Sequence, residues 1–421
     1  MFIKNEEYHL RYILFLLLSL NLFAVDASLK IETDVEHRTR IAVVDGSAVP
    51  NNTFFNILLS DLKISGHFLS DTTHHKGDFN GAFLSPSLKK REYVLKYNLA
   101  QSSGSKLLIR LLKASNGAEI FKKSYAIPTK SKVPFLAHKA ISDINDVLKY
   151  PSISWINRYV IYARYTGAKK SEIIVADYTF KYQKPIVRGG LNLFPKWADA
   201  KQQSFYYTSY AGVIPALYKL NMYSGSKRKI ASSEGMIVCS DVKANGSKIL
   251  VTMAPDAQAD IYEMSASGGS KKRITSFNGI DVSGKYVDNE SRIAFVSNRL
   301  GYANIFKKSI GGSGVSQVVY KGRNNNALDA YGSKIVYSSR ESKNSFGNNS
   351  FNLNLVSSNG SGRRPLTTTG TNQFPHFSTD GTVVQYIKHR GGSSSIGYIN
   401  LNSKQSLLFP LGGRKIQSID W

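Results

Sequence analysis

With 421 residues, 42% of them hydrophobic and 20% charged, the chain is too apolar to be disordered and long enough for more than one core. Its 55 Lys+Arg against 29 Asp+Glu give a net charge of +26, but the cations are scattered, typically in pairs such as Lys169-Lys170 and Arg363-Arg364, which excludes a basic nucleic-acid-binding tail. The single cysteine, Cys239, excludes an internal disulfide, and its apolar setting Met236-Ile-Val-Cys239 predicts a buried, inert thiol.

Residues 1–27 read as a secretory signal: Lys4 and Arg11 in a polar front, the apolar run Tyr12 to Ala24, and the small-residue pattern Val25-Asp26-Ala27 before Ser28. The apolar run is too short to span a bilayer comfortably, and no cysteine follows it to carry a lipid. Residues 28–150 predict a small mixed α/β domain. Thr39 to Asp45 reads as a buried strand, and Asn51 to Ser65 as an amphipathic helix capped by Asn or Thr and ended by Gly66. Further strands are expected at His67–Ser70, Tyr93–Tyr97, Lys106–Leu112 and Glu119–Tyr125, the last two joined at Asn116-Gly117. A second helix is expected from Val133 to Leu148 before the junction Lys149-Tyr-Pro-Ser152.

From residue 151 the chain repeats itself. The units 191–235, 236–279, 280–322, 323–370 and 371–413 are each 43 to 48 residues long, and an earlier one ends at Gly190. Each holds a β-rich run (Ser204–Thr208, Lys248–Thr252, Arg292–Val296, Lys334–Ser338, Thr382–Tyr386), a second strand, a Gly- or Ser-rich turn and a third strand. No such unit can bury both faces of its sheet alone, so neighbours must cover one another and the ring must close. The tail Arg414 to Trp421 reads as the opening of another unit, expected to pair with the first one, with Trp421 as an apolar plug. The predicted fold is therefore a mixed α/β domain followed by an all-β, six-bladed β-propeller.

The residues that could do chemistry are dispersed. No Gly-x-Ser-x-Gly elbow, phosphate-binding loop or paired-cysteine motif occurs. His74-His75 is a tempting metal pair, but neighbours in an extended chain point apart, so a solvated loop is expected. Asp241, Asp281 and Asp329 recur near unit openings, where they could approach a cation in the channel or serve as turn residues; turn roles are expected. The sequence thus predicts no catalytic residue, no cofactor and no metal: a non-enzymatic binding platform.

The combination resembles the TolB family, the periplasmic component of the Tol–Pal envelope system, over essentially the whole chain. The resemblance rests on Leu62-Lys-Ile-Ser-Gly-His-Phe68 after the first helix and on the openings Phe194-Pro-Lys-Trp197 and Phe374-Pro-His-Phe-Ser-Thr-Asp-Gly381, which echo the family's Pro-x-aromatic-Ser-Pro-Asp-Gly turn. The openings beginning at Asp241, Lys285 and Asp329 depart from it. The resemblance implies a monomeric periplasmic adaptor with two protein partners, no nucleic acid, and contact with the membranes only through those partners. The mature N-terminal peptide Ser28, Leu29, Lys30, Ile31, Glu32, Thr33, Asp34 would bind TolA by adding a strand to a sheet edge. The propeller mouth would receive the peptidoglycan-associated lipoprotein, Pal, through Leu191, Asn192, Met236, Ile237, Ile280, Asp281, Asn324, Asn325, Asn372 and Gln373. Met236, Ile237 and Ile280 are equally readable as core. A different class, a propeller binding envelope glycan or lipopolysaccharide, is also compatible with the 24 tyrosines and the positive charge.

Overall fold

The computed structural model describes residues 38–81, 83–341, 349–413 and 415–421; the signal and the peptide Ser28–Asp34 lie outside them. The first part is built on β1 (Thr39–Asp45), whose side chains are buried on both faces, as befits a strand with parallel neighbours. It pairs in parallel with β2 (Phe68–Ser70), β3 (His75–Lys76) and β4 (Tyr93–Gln101). The sheet continues as an antiparallel meander through β5 (Ser105–Lys113) and β6 (Glu119–Ile127).

Helix α1 (Asn52–Ser65) starts where the Asn51 side chain accepts the Phe54 amide, and it ends at Gly66, which is left-handed at φ 83°. A short α2 (Pro86–Lys89), not foreseen from the sequence, covers Ala42, Val44, Val94 and Leu112 on one face of the sheet. On the other face α1 and α3 (Pro134–Val147) bury Phe54, Leu58, Leu62, Ile141 and Ile144 against Ile41, Leu95 and Ile109. The expectation of a solvated loop at His74-His75 is corrected. His74 stacks on Phe55 with ring centroids 4.1 Å apart and reaches Asp45 at 3.0 Å and Asn52 at 2.9 Å, while His75 sits in β3 and bonds Asp71 at 3.0 Å.

The remainder forms six four-stranded antiparallel blades among the described residues, and each repeat unit opens with the innermost strand of a blade. These inner strands are Asn192–Trp197 (blade I), Ile237–Val242 (II), Asp281–Val287 (III), Arg323–Tyr331 (IV), Thr371–Phe377 (V) and Ile416–Asp420 (VI). Blade VI is a composite: Ile416–Asp420 pairs antiparallel with Val160–Gly167, which continues to Lys170–Ala176 and Gln183–Val187. The tail therefore closes the ring as expected. Apolar residues of successive blades interdigitate, for example Tyr206 and Leu217 of blade I with Ile249, Val251 and Met264 of blade II.

The α/β part packs under the end of the propeller where inner strands finish, and the two share one core. Trp421 packs edge-on against Trp155 and Tyr398 at this seam, with centroids 5.1 and 5.3 Å apart. The Asn400 side chain of blade V donates to the carbonyls of Ile64 (3.0 Å) and Ser65 (3.2 Å), satisfying carbonyls that the end of α1 leaves open. Gly66 touches the same turn so closely that a Cβ there would lie 2.4 Å from Ser403 Oγ. Gly66→Ala is expected to cost about 2 kcal/mol, from left-handed strain plus overlap. Urea unfolding would check this, and Ser403→Gly should recover the overlap part.

Candidate functional site

Five of the inner strands carry a register shift over the same stretch, and the sixth, Ile416–Asp420, carries one near its start. In five strands the residue at which pairing resumes after the shift is titratable (Lys196, Asp241, Lys285, Asp329 and His376 in blade order), and in the sixth Asp420 follows two residues after pairing resumes at Ser418. Their contacts run round the channel. Lys196 meets Asp420 at 2.8 Å and Asp241 at 4.0 Å, Lys285 meets Asp329 at 2.7 Å, and His376 lies 3.8 Å from Asp329 and 3.6 Å from Asp420. Basic and acidic members alternate, so every aspartate sits between two basic side chains. Each aspartate also accepts a backbone amide of the following blade at 2.8 Å: Asp241 from Tyr286, Asp329 from Phe377 and Asp420 from Trp197. The ring thus ties blade to blade around the channel.

Burial shapes the protonation of this ring. It pushes the Asp241 carboxyl up, against the pull of Lys285 and Lys196. At Asp329 the opposing attraction of Lys285 and His376 outweighs burial and holds the carboxyl well below its usual range. Burial, with Lys285 and Lys196 nearby, lowers His376 to about 4 despite its two carboxylate neighbours, so it is neutral at neutral pH. With His376 neutral, Lys196 and Lys285 are the basic side chains left to face the three carboxyl groups.

Above the ring, toward the starts of the inner strands, lies a cavity of about 210 Å³ lined by Phe194, Met236, Val282, Leu328, Phe374 and Ile419. Cys239 lines it too, and burial holds its thiol well above the usual range, as expected of an inert cysteine. The cavity opens to the mouth where the sequence placed its candidate contact residues. The structure divides those ten into two sets. Asn192, Ile237, Asp281, Asn325 and Asn372 are buried. Asn192 donates to Gly189 O at 2.6 Å, Asn325 to Asn304 at 2.9 Å and Asn372 to Asn352 at 3.1 Å, while Asp281 pairs with Arg299 at 3.0 Å. Ile237 packs into the core between blades I and II. These five fasten the mouth loops and do not offer themselves to a partner. Leu191, Met236, Ile280, Asn324 and Gln373 retain exposed surface there, with Ile280 half exposed. Of the three aspartates read as turn residues, Asp241 and Asp329 belong to the ring and Asp281 to the Arg299 ion pair.

A second charged cluster, missed in the sequence, lies at the seam. His138 of α3 places Nδ1 2.9 Å from Asp61 of α1 and Nε2 3.2 Å from Asp177, in the turn between the outer strands of blade VI. Tyr178 also donates to Asp61. All three charged side chains are fully buried. Burial disfavours the imidazolium, but the two aspartates outweigh it and raise His138 to about 9. Burial pushes Asp61 up; Asp177, which accepts from His138, Thr179 and the Tyr182 amide, is instead pulled below its usual range.

No helix among the described residues is long and apolar enough to cross a membrane. Residues 153–421 match the family profile described as the TolB beta propeller domain. The chain is 44% identical to the Tol-Pal system protein TolB of Wolinella succinogenes, over 98% of this chain and 100% of that protein. It is 40% identical to the Helicobacter pylori (strain 26695) protein of the same name, again over 98% of this chain and 100% of that protein. A crystal structure of TolB from Acinetobacter baumannii superposes with a TM-score of 0.75 over 92% of this chain and 97% of that one; at 20% identity this speaks for the fold. With an α/β domain seated beneath a closed six-bladed ring, and relatives aligned over nearly their full lengths, the chain belongs to the TolB family of Tol–Pal system proteins.

Proposed function

We propose that the chain is a non-catalytic periplasmic adaptor of the Tol–Pal system. Its channel mouth binds a peptidoglycan-associated lipoprotein, its mature N-terminal peptide Ser28–Asp34 binds TolA, and the pair of contacts serves outer-membrane integrity and constriction during cell division. The observation that carries this reading is the mouth itself, a partly apolar cavity that has Lys196, Lys285 and His376 of the ion-paired ring in its lining. Such a propeller has a recessed face for a protein to dock on. Leu191, Met236, Ile280, Asn324 and Gln373 are the mouth contacts that remain in this proposal.

A pull-down from envelope extract tests it, using mature protein with and without residues 28–34. Both forms should recover the lipoprotein, and only the longer one TolA. Recovery of neither partner by the longer form would overturn the reading. One feature favours a second reading, a glycan- or lipopolysaccharide-binding module: the outermost strands of blades I and II expose Lys227, Arg228, Lys229, Lys271, Lys272 and Arg273. Binding through these cations should collapse at high salt, whereas an apolar-centred mouth contact should persist.

A further inference from the structure

A ring of repeated blades poses a problem of register, because a partner could settle on it in several rotations unless the seams between blades differ. The seams of this mouth do differ. Between blades II and III an open groove of about 740 Å³ is lined by Met236, Ala254, Ala257, Ala259 and Ile280, and Asp256 is its single charged lining residue. Between blades V and VI an open groove of about 530 Å³ is lined by Tyr165, Gln373, His389, Arg390 and Lys415 among others, with no carboxylate in its lining.

The charge of the second groove is uncommitted. Arg390 and Lys415 are exposed, and neither has a carboxylate at ion-pair distance among the described residues. Burial and the neighbouring Lys415 hold His389 below its usual range, so Arg390 and Lys415 supply the positive charge at neutral pH. The inner strands succeed one another in chain order and the ring closes between blades VI and I, so the II–III and V–VI seams face each other across the channel.

We propose that the mouth is a two-point receptor, in which a protein partner sets an apolar protrusion into the II–III groove and an acidic segment into the V–VI groove. The two contacts lie across the axis from each other, so together they fix the partner's rotation, which neither could do alone. Charge complementarity selects the acidic segment, and the alanine, methionine and isoleucine lining selects the apolar one. The inference rests on the reading of the mouth as the docking face for the lipoprotein.

Two probes separate the inference from that reading: the soluble domain of the peptidoglycan-associated lipoprotein from the same organism, and a labelled octaglutamate peptide. The double variant Arg390→Glu/Lys415→Glu should weaken lipoprotein binding about tenfold at low salt, chiefly through slower association, and flatten its salt dependence. Met236→Ser/Ile280→Ser should weaken it about tenfold through faster dissociation, with the salt dependence unchanged. Lys272→Glu, on the outer strand of blade II, should change neither. Octaglutamate should bind the wild-type chain and the Met236→Ser/Ile280→Ser variant, and fail to bind Arg390→Glu/Lys415→Glu. If the lipoprotein binds but the charge-reversed variant keeps both its affinity and its salt dependence, the two-point receptor is wrong while the docking face stands. If octaglutamate binds at Arg390 and Lys415 but the lipoprotein does not bind at all, the acidic-segment groove stands and the docking reading falls. Binding of neither probe would overturn both.

Discussion

Replacing His138 by leucine is expected to destabilise the chain by about 3–5 kcal/mol, among the largest effects of any single substitution outside the apolar core. The imidazole is the one cation between Asp61 and Asp177, and all three side chains are fully buried. Leucine fills similar space but leaves two carboxylates facing each other without a donor between them. The pH profile identifies the mechanism. His138 is raised from 6.5 to about 9 in the folded chain. Its contribution is therefore complete below its unfolded value and is lost as pH rises through the folded one, a loss of about 3 kcal/mol. In His138→Leu that loss should disappear. Stability should instead improve as pH falls, because Asp61 already sits above its usual range and takes up a proton readily. Urea unfolding across about pH 6 to 9.5 reads both trends. A variant whose profile runs parallel to the wild type would show that the His138 charge is not what joins the seam.

The second large effect is expected in the channel. Lys196→Met removes the cation that bonds Asp420 at 2.8 Å and faces Asp241 at 4.0 Å, and it should also cost about 3–5 kcal/mol at neutral pH. Lys196 is among the groups that keep His376 low, at about 4. Without it His376 should titrate closer to its ordinary value, and its protonation would restore a positive member to the ring. The penalty should therefore shrink as pH falls through that new value, because the folded state gains a proton-binding group with a raised pKa. NMR titration of the His376 ring gives the shift directly, and an unmoved titration would contradict the ring electrostatics. Adding Asp420→Asn should cost less in the Lys196→Met background than in the wild type, since the pair shares one interaction.

Much of the fold could be read before any coordinates, because a propeller writes its architecture as a period. The helix from Asn51 to Gly66 and the closure by the tail were legible for similar reasons: caps and incomplete repeats leave local marks. The ring of charges was not, although its members stood in view. Asp241, Lys285 and Asp329 looked like departures from the openings that contain Lys196 and His376. They are the same structural position, recognisable once the units are superposed on the bulge rather than on the Phe-Pro dipeptide. The alternation of sign exists between units and not within any of them.

The mouth shows the opposite difficulty. Asparagines at the start of inner strands look like docking residues when each loop is read alone. Their recurrence as Asn192, Asn325 and Asn372 is the signature of an internal clamp, since a partner has no reason to present the same group three times round a ring. The seam cluster could not be read at all. Asp61, His138 and Asp177 belong to three elements brought together by tertiary packing, and their spacing in the chain carries no trace of the contact.

The composite blade has a consequence for the order in which the molecule forms. Lys196 and Asp420, partners across the closing seam, are 224 residues apart in sequence. Joining ends so distant costs about 5 kcal/mol of loop-closure entropy, recovered only when the final strand slots in. Blades I to V can assemble from nearly local hairpins, whereas the closed ring and the seat of Trp421 wait for residues 416–420 to emerge and return to residues 160–167. High contact order makes that return the slow event of folding. Until it happens, the chain is an open arc with two raw sheet faces, the state in which it is most exposed to aggregation and to proteolysis.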